Sequence, residues 1–234
     1  MAFDDPGFWT ALLKIIGVNI VLSGDNAVVI ALAARSLPAK QQKQAIFWGS
    51  GAAIIMRIIL TIFAVELLKL DWLKLIGSVL LLWIGVKLLI PEDGEEGVSA
   101  SDNLLQAIKT ILIADLVMSL DNVIAVAAAA GGSLALLIIG LGISIPLVIF
   151  GATLLVHLME RYPIIITIGA ALIGFVAGEM AWEDHAIAAW TSPYSSNMKY
   201  AAATIGAVFV VALGQWLARR QARAAGETPA NPAR

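Results

Sequence analysis

The sequence predicts an all-α membrane protein of about seven transmembrane helices: two inverted three-helix repeats followed by one C-terminal helix. Three observations lead there. The chain has 234 residues, 60% hydrophobic and only 14% charged, against about 45–50% and about 25% in soluble domains. One water-soluble core of this size has no room for that excess. Seven stretches are apolar over the roughly 20 residues that cross the hydrocarbon. A polar motif inside the first stretch returns inside the fourth at a constant offset.

The elements follow in order. The first span covers about Phe8–Ala34. It begins with Asp4 and Asp5 and carries polar residues through its middle, so it reads as a span and not as a cleavable signal peptide. Ser36-Leu37-Pro38 turns the chain into the second span, Ala45–Leu68. The third, Trp72–Ile90, ends on Pro91-Glu92-Asp93-Gly94. The fourth, Leu104–Ala130, is closed by Gly131-Gly132-Ser133, and the fifth, Leu134–Leu158, contains Pro146, expected to kink it. Pro163–Trp182 and Tyr200–Leu217 complete the seven. Residues 1–220 thus form one transmembrane domain, with repeat 1 at about 8–90, repeat 2 at about 104–182 and the extra span at about 200–217. Residues 221–234, small and polar with two prolines from Gly226 onward, read as a disordered cytoplasmic tail.

Positive charge orients the spans. With the N-terminus outside, the inner flanks hold Arg35, Lys40, Lys43, Lys87, Lys109, Arg161, Arg219, Arg220, Arg223 and Arg234. The outer flanks hold Lys14, Lys69, Lys74 and Lys199. Arg57 alone lies deep inside a span. The expectation is a multi-pass protein of the inner (plasma) membrane, N-terminus outside and C-terminus cytoplasmic. The net charge of −2 without a basic stripe argues against a nucleic-acid partner. The absence of cysteine excludes disulfides, thiolate metal sites, iron–sulfur clusters and a cysteine nucleophile.

The repeat carries the chemistry. Asn19-Ile20-Val21-Leu22-Ser23-Gly24-Asp25-Asn26 lies in the first span and Asp115-Leu116-Val117-Met118-Ser119-Leu120-Asp121-Asn122 in the fourth. At an offset of 96 residues, Ser23, Asp25 and Asn26 recur as Ser119, Asp121 and Asn122, and Asn19 falls on Asp115. Downstream, Gly49 and Gly51 match Gly140 and Gly142, and Gly77 matches Gly169. Three spans per repeat is an odd number, so the second copy crosses in the opposite sense. That architecture recurs in secondary transporters, with the substrate at the midplane where the repeats meet.

An ionised Asp at mid-span costs about 2.5–3.5 kcal/mol, so Asp25, Asp115 and Asp121 need pairing, hydration or protonation. Arg57 compensates one charge; a divalent cation completes the balance. Asn19, Ser23 and Asn26 share one helical face, as do Asp115, Ser119 and Asn122, while Asp25 and Asp121 each point about 100° from the adjacent Asn. Either the helices unwind to bring both members of each pair to one ion, or one member binds it and its neighbour ties down another helix. Gly24 favours unwinding in the first span; Leu120 disfavours it in the fourth. Carboxylate, amide and hydroxyl oxygens suit Mn²⁺, Ca²⁺ and Mg²⁺, whereas zinc or copper would favour the two histidines, His157 and His185, which lie at a span end and in a loop. Glu66, Lys87 and Glu179 sit near span ends, where long side chains snorkel. The glycines at 49, 51, 77, 85, 140, 142, 151, 169, 174 and 178 read as close helix packing.

No enzyme is indicated. The chain has no His-Glu-x-x-His pair and no Gly-x-Ser-x-Gly elbow, and Ser23 and Ser119 have no buried His to activate them. A retinal protein is disfavoured because the last span offers only Lys199, at its edge.

The paired motifs Ser23-Gly24-Asp25-Asn26-Ala27 and Ser119-Leu120-Asp121-Asn122-Val123, in a chain of seven spans, resemble the TerC-like integral membrane proteins. The likeness is nearest to their YjbE-like metal transporter branch, within the LysE-type exporter group, and covers about residues 10–217. It implies a transporter domain that exports divalent cations, manganese above all, and ion-binding roles for Asp25, Asn26, Asp121 and Asn122. Asn19, Asp115, Ser23 and Ser119 look like additional site residues, with Arg57 as charge compensation. Export against an inside-negative potential requires about 2.3 kcal/mol per charge per 100 mV, so proton antiport by alternating access is expected. The partners are the divalent cation and the lipid bilayer, no resident cofactor is expected, and a homo-oligomer is left open. Alternatives are an exporter of calcium or of a small cationic solute, or a membrane partner that helps load manganese onto secreted enzymes.

Overall fold

The computed structural model describes residues 9–10, 12–17, 24–67, 70–90, 100–130, 133–191 and 197–224. Among the described residues there is no strand. Residues 12–17 are helical, followed along the chain by α1 (Gly24–Ala34), α2 (Ala39–Leu67), α3 (Leu73–Leu89), α4 (Ala100–Ala130), α5 (Leu134–Arg161), α6 (Ile164–Trp182) and α7 (Asn197–Ala224). A 3₁₀ turn, His185–Ile187, and one helical turn, Ala188–Thr191, stand before α7.

Five of these helices are long and apolar enough to cross a membrane: Ala39–Phe63, Asn103–Leu120, Ala135–Arg161, Ile164–Trp182 and Asn197–Arg223. The 11 residues of α1 are apolar but short, since the middle of the expected first span lies outside the described residues. The 17 residues of α3 fall at the lower limit for crossing. Large apolar side chains such as Phe150 (69% exposed), Ile76 and Trp216 face outward, as lipid contact requires. The helix α5 runs through Pro146, which removes one backbone N–H from its ladder. Arg219 to Ala224, the end of α7, includes four residues expected to be disordered tail; residues 225–234 lie outside the described residues.

The chain divides into two compact units, one of residues 1–70 and 101–156, the other of 71–100 and 157–234. In the first unit Leu12, Ile15, Ile54, Val126, Leu136, Leu137 and Leu141 form a core. Two glycines set its closest packing. A Cβ on Gly49 of α2 would meet the Ile111 side chain of α4, and a Cβ on Gly140 of α5 would meet Ile15. Ala27 of α1 lies 3.8 Å from the corresponding position at Gly151. The helices α2 and α4 run in parallel, because residue numbers rise together from the Gly49–Ile111 contact to the Arg57–Asp115 contact.

In the second unit α6 and α7 cross antiparallel on small residues. A Cβ on Gly174 would strike the Gly206 backbone, and one on Gly178 the backbone at Ala202, the close approach that small residues allow in lipid. The helix α3 runs parallel to α7, with Gly85 against Val210 and Leu89 against Gly214. An apolar cavity of about 450 Å³ between them is lined by Val79, Trp83, Lys87, Phe209, Leu213 and Leu217, among others. Close packing does not explain every glycine: among the described residues nothing lies within 4 Å of where a Cβ would stand on Gly51 or Gly142.

Candidate metal centre

Helical spacing puts Asp115 and Ser119 on one face of α4, and the structure brings Arg57 of α2 onto both. Its Nη2 donates to Asp115 Oδ1 at 2.5 Å and its Nε donates to Ser119 Oγ at 3.0 Å. The Ser119 hydroxyl in turn donates to Asp115 Oδ2 at 3.3 Å. All three groups are buried: Arg57 and Asp115 are each 5% exposed and Ser119 is sealed. A buried ion pair offsets its desolvation only when extra hydrogen bonds complete it, and Ser119 supplies them to both partners. Thr61 also donates to the Arg57 carbonyl at 2.7 Å.

The other half of the motif is set by α1. Asp25 occupies its first turn, where a carboxylate is favoured by the exposed N–H groups and the helix dipole. Its Oδ1 accepts from the Asn26 backbone N–H at 2.8 Å, and it is close enough to feel the charges of Arg57 and Asp115. Asn26 is buried, at 3% exposure. On α4, Asn122 is half-buried; Asp121 is helical, but its side chain lies outside the described set. Asn19 and Ser23 also lie outside the described residues. The structure therefore brings Arg57, Asp115 and Ser119 into direct contact and sets Asp25 within electrostatic range. Among the described residues no three His, Asp or Glu side chains gather into a ready metal cage. The cavity in the second unit has a lysine and no carboxylate on its walls, the wrong sign for a cation.

A second charged cluster surrounds Asp184, in the stretch beside His185 that the sequence places in a loop. Asp184 is 1% exposed. Its Oδ1 accepts from the backbone N–H of Trp72 at 3.2 Å and of Ala186 at 2.7 Å, and its Oδ2 from that of Leu75 at 2.8 Å. It thereby caps α3 across a gap of more than a hundred residues. Trp72, at φ 70°, is the left-handed residue through which the chain enters that cap. Burial works to raise the Asp184 carboxyl, but these N–H donors overcome it and hold it below its ordinary value. Beside it, Lys199 bridges Glu179 at 2.6 Å and Glu183 at 2.5 Å, and Lys74 lies 3.3 Å from Glu183. Partial burial works to raise Glu183 too; Lys199 and Lys74 outweigh it and lower it. The signal that was available is an Asp directly before a helical turn, a strong N-cap residue.

Comparison with known proteins finds bacterial membrane proteins. The chain is 46% identical over 174 residues to YjbE of Bacillus subtilis, described as an uncharacterized membrane protein, covering 74% of this chain and 80% of that one. It is 29% identical over 187 residues to YceF of the same organism, with 76% and 72% covered. To YgdQ of Escherichia coli, a UPF0053 inner membrane protein, it is 29% identical over 177 residues, with 68% and 74% covered. No solved structure matches the chain. The family model for the integral membrane protein TerC family matches residues 4–222, and the chain belongs to that family.

Proposed function

We propose that the protein is a divalent-cation exporter of the inner membrane, carrying manganese, and not an enzyme. The observation that carries this reading is the Arg57–Asp115 pair. It neutralises one of the three mid-span acids, which leaves Asp25 and Asp121, one from each copy of the motif. Their combined charge of −2 suits one divalent ion, and the amides of Asn26 and Asn122 and backbone carbonyls complete an oxygen shell of the kind Mn²⁺ takes. Asp115 and Ser119 serve first as the partners of Arg57, because both Asp115 oxygens are already engaged.

Two further features support seven spans in inverted repeats. Gly49 against Ile111 and Gly140 against Ile15 are one contact made twice: Ile15 and Ile111 are 96 residues apart and the glycines 91. Exchanging the repeats turns one contact into the other. The parallel course of α2 and α4 also fits a crossing by α3 between them, despite its 17 residues. Seven crossings leave the N-terminus outside and the basic end of α7 in the cytoplasm, as the charge bias prefers.

Export against an inside-negative potential needs a driving ion, and a proton gradient supplies it. In inside-out vesicles, manganese uptake is expected to rise with an imposed pH gradient, acid inside. Asp25→Asn and Asp121→Asn are each expected to lower uptake at least tenfold. Undiminished uptake in either variant would remove that carboxylate from the site. Competition by Ca²⁺ or Mg²⁺ at equal concentration would move the substrate to that ion.

A further inference from the structure

We propose that Arg57 fixes the valence of the transported ion, an inference that rests on the cation-site reading above. The pair it makes with Asp115 is buried, complete and placed on the motif itself, since its third member, Ser119, is a motif residue. The two halves of the molecule treat this position differently. The offset of 91 that relates Gly49 and Gly51 to Gly140 and Gly142 carries Arg57 onto Val148, and the offset of 96 carries Asp115 back onto Asn19. The α2–α4 contact carries both charges, one from each repeat, and the positions onto which the repeat maps them carry neither. A duplicated strut would be charged in both places or in neither. A single pair makes the two places unlike while leaving the sum of charges unchanged.

That sum is what an ion in a low-dielectric site reads. With Arg57 present the mid-span groups total −2: three carboxylates and one guanidinium. Without it they total −3, which shifts the advantage toward trivalent ions. Without Asp115 they total −1, which weakens every multivalent ion and the trivalent most. Asp25, already under the influence of both charges, is the ligand through which the change is felt. Arg57 is thus a positioning residue: it holds Asp115 away from the ion and sets the charge that the remaining ligands present.

The test measures binding of manganese(II) and lanthanum(III) to the purified full-length protein in detergent, and compares the ratio of the two affinities among variants. Arg57→Val is expected to raise the lanthanum-to-manganese ratio about tenfold, Asp115→Asn to lower it, and Arg57→Lys to leave it at the parent value. Arg57→Val with Asp115→Asn copies the uncharged counterparts, Val148 and Asn19, and is expected to restore the parent ratio. A purely structural pair would lower the melting temperature in the single variants and leave the ratio unmoved, which would overturn the proposal. If Arg57→Val does not fold, Asp115→Asn decides alone: a lowered ratio supports the proposal and an unchanged one overturns it. A parent protein that binds neither ion would instead sink the cation-site reading, whatever Arg57 does.

Discussion

Asp184 shows how much one buried carboxylate can organise. It accepts three backbone N–H groups, two of them from the start of α3 and one from the 3₁₀ turn that follows it. Removing an N-cap costs about 0.5–2 kcal/mol, and leaving buried donors unmet adds to that, so Asp184→Ala is expected to cost about 2 kcal/mol at pH 7. Because its folded pKa is depressed, this contribution is complete above the unfolded value of about 3.9 and fades as pH falls through the folded one. Thermal melts of parent and variant in detergent should therefore differ most at neutral pH and converge below about pH 4. The residues of the candidate site stand out at this scale because polar groups inside spans are rare and costly. Their pairing was not legible. Nothing in the spacing says that Arg57 takes Asp115 rather than Asp25 or Asp121, since 58 residues and a whole intervening span separate the partners.

At the scale of helices, the apolar pattern located α3 and α6 to within one residue at each end and α2, α5 and α7 to within seven, because a hydrophobic run bounded by turn residues leaves few other choices. Their ends moved for local reasons. The polar Ala39-Lys40-Gln41-Gln42-Lys43-Gln44 forms the start of α2 directly after Pro38, a residue suited to a helix start, and basic side chains prolong α7 past its apolar part. Glycine was harder to read, since a missing side chain looks alike in sequence whether it admits a neighbour or none. The structure separates the cases. Gly178→Val, which drives its side chain into the Ala202 backbone, is expected to destabilise by about 2 kcal/mol or more. Gly142→Ala, with open space at its Cβ, is expected to be neutral or slightly stabilising through helix propensity. Denaturant titration of the two variants in one detergent would compare them directly.

At the scale of the molecule, the class was fixed by composition, and the division into two units was not visible at all, because it follows from which helices meet. One unit takes the first two helices of each expected repeat, and the other takes the third of each together with α7. The absence of cysteine makes orientation simple to check. In intact cells a membrane-impermeant maleimide is expected to label Thr191→Cys and to spare Ser36→Cys; the reverse pattern would invert the topology. The Arg57–Asp115 pair has one more consequence, in the order of manufacture. Arg57 leaves the ribosome 58 residues ahead of its partner, a delay of about 3–12 s at 5–20 residues per second. Through that interval α2 carries its cation without the Asp115 carboxylate, at a cost of up to about 2.5–3.5 kcal/mol to its entry into lipid. The α2 helix is apolar enough to enter the bilayer with that cost, and it gains its full stabilisation only once α4 has followed it.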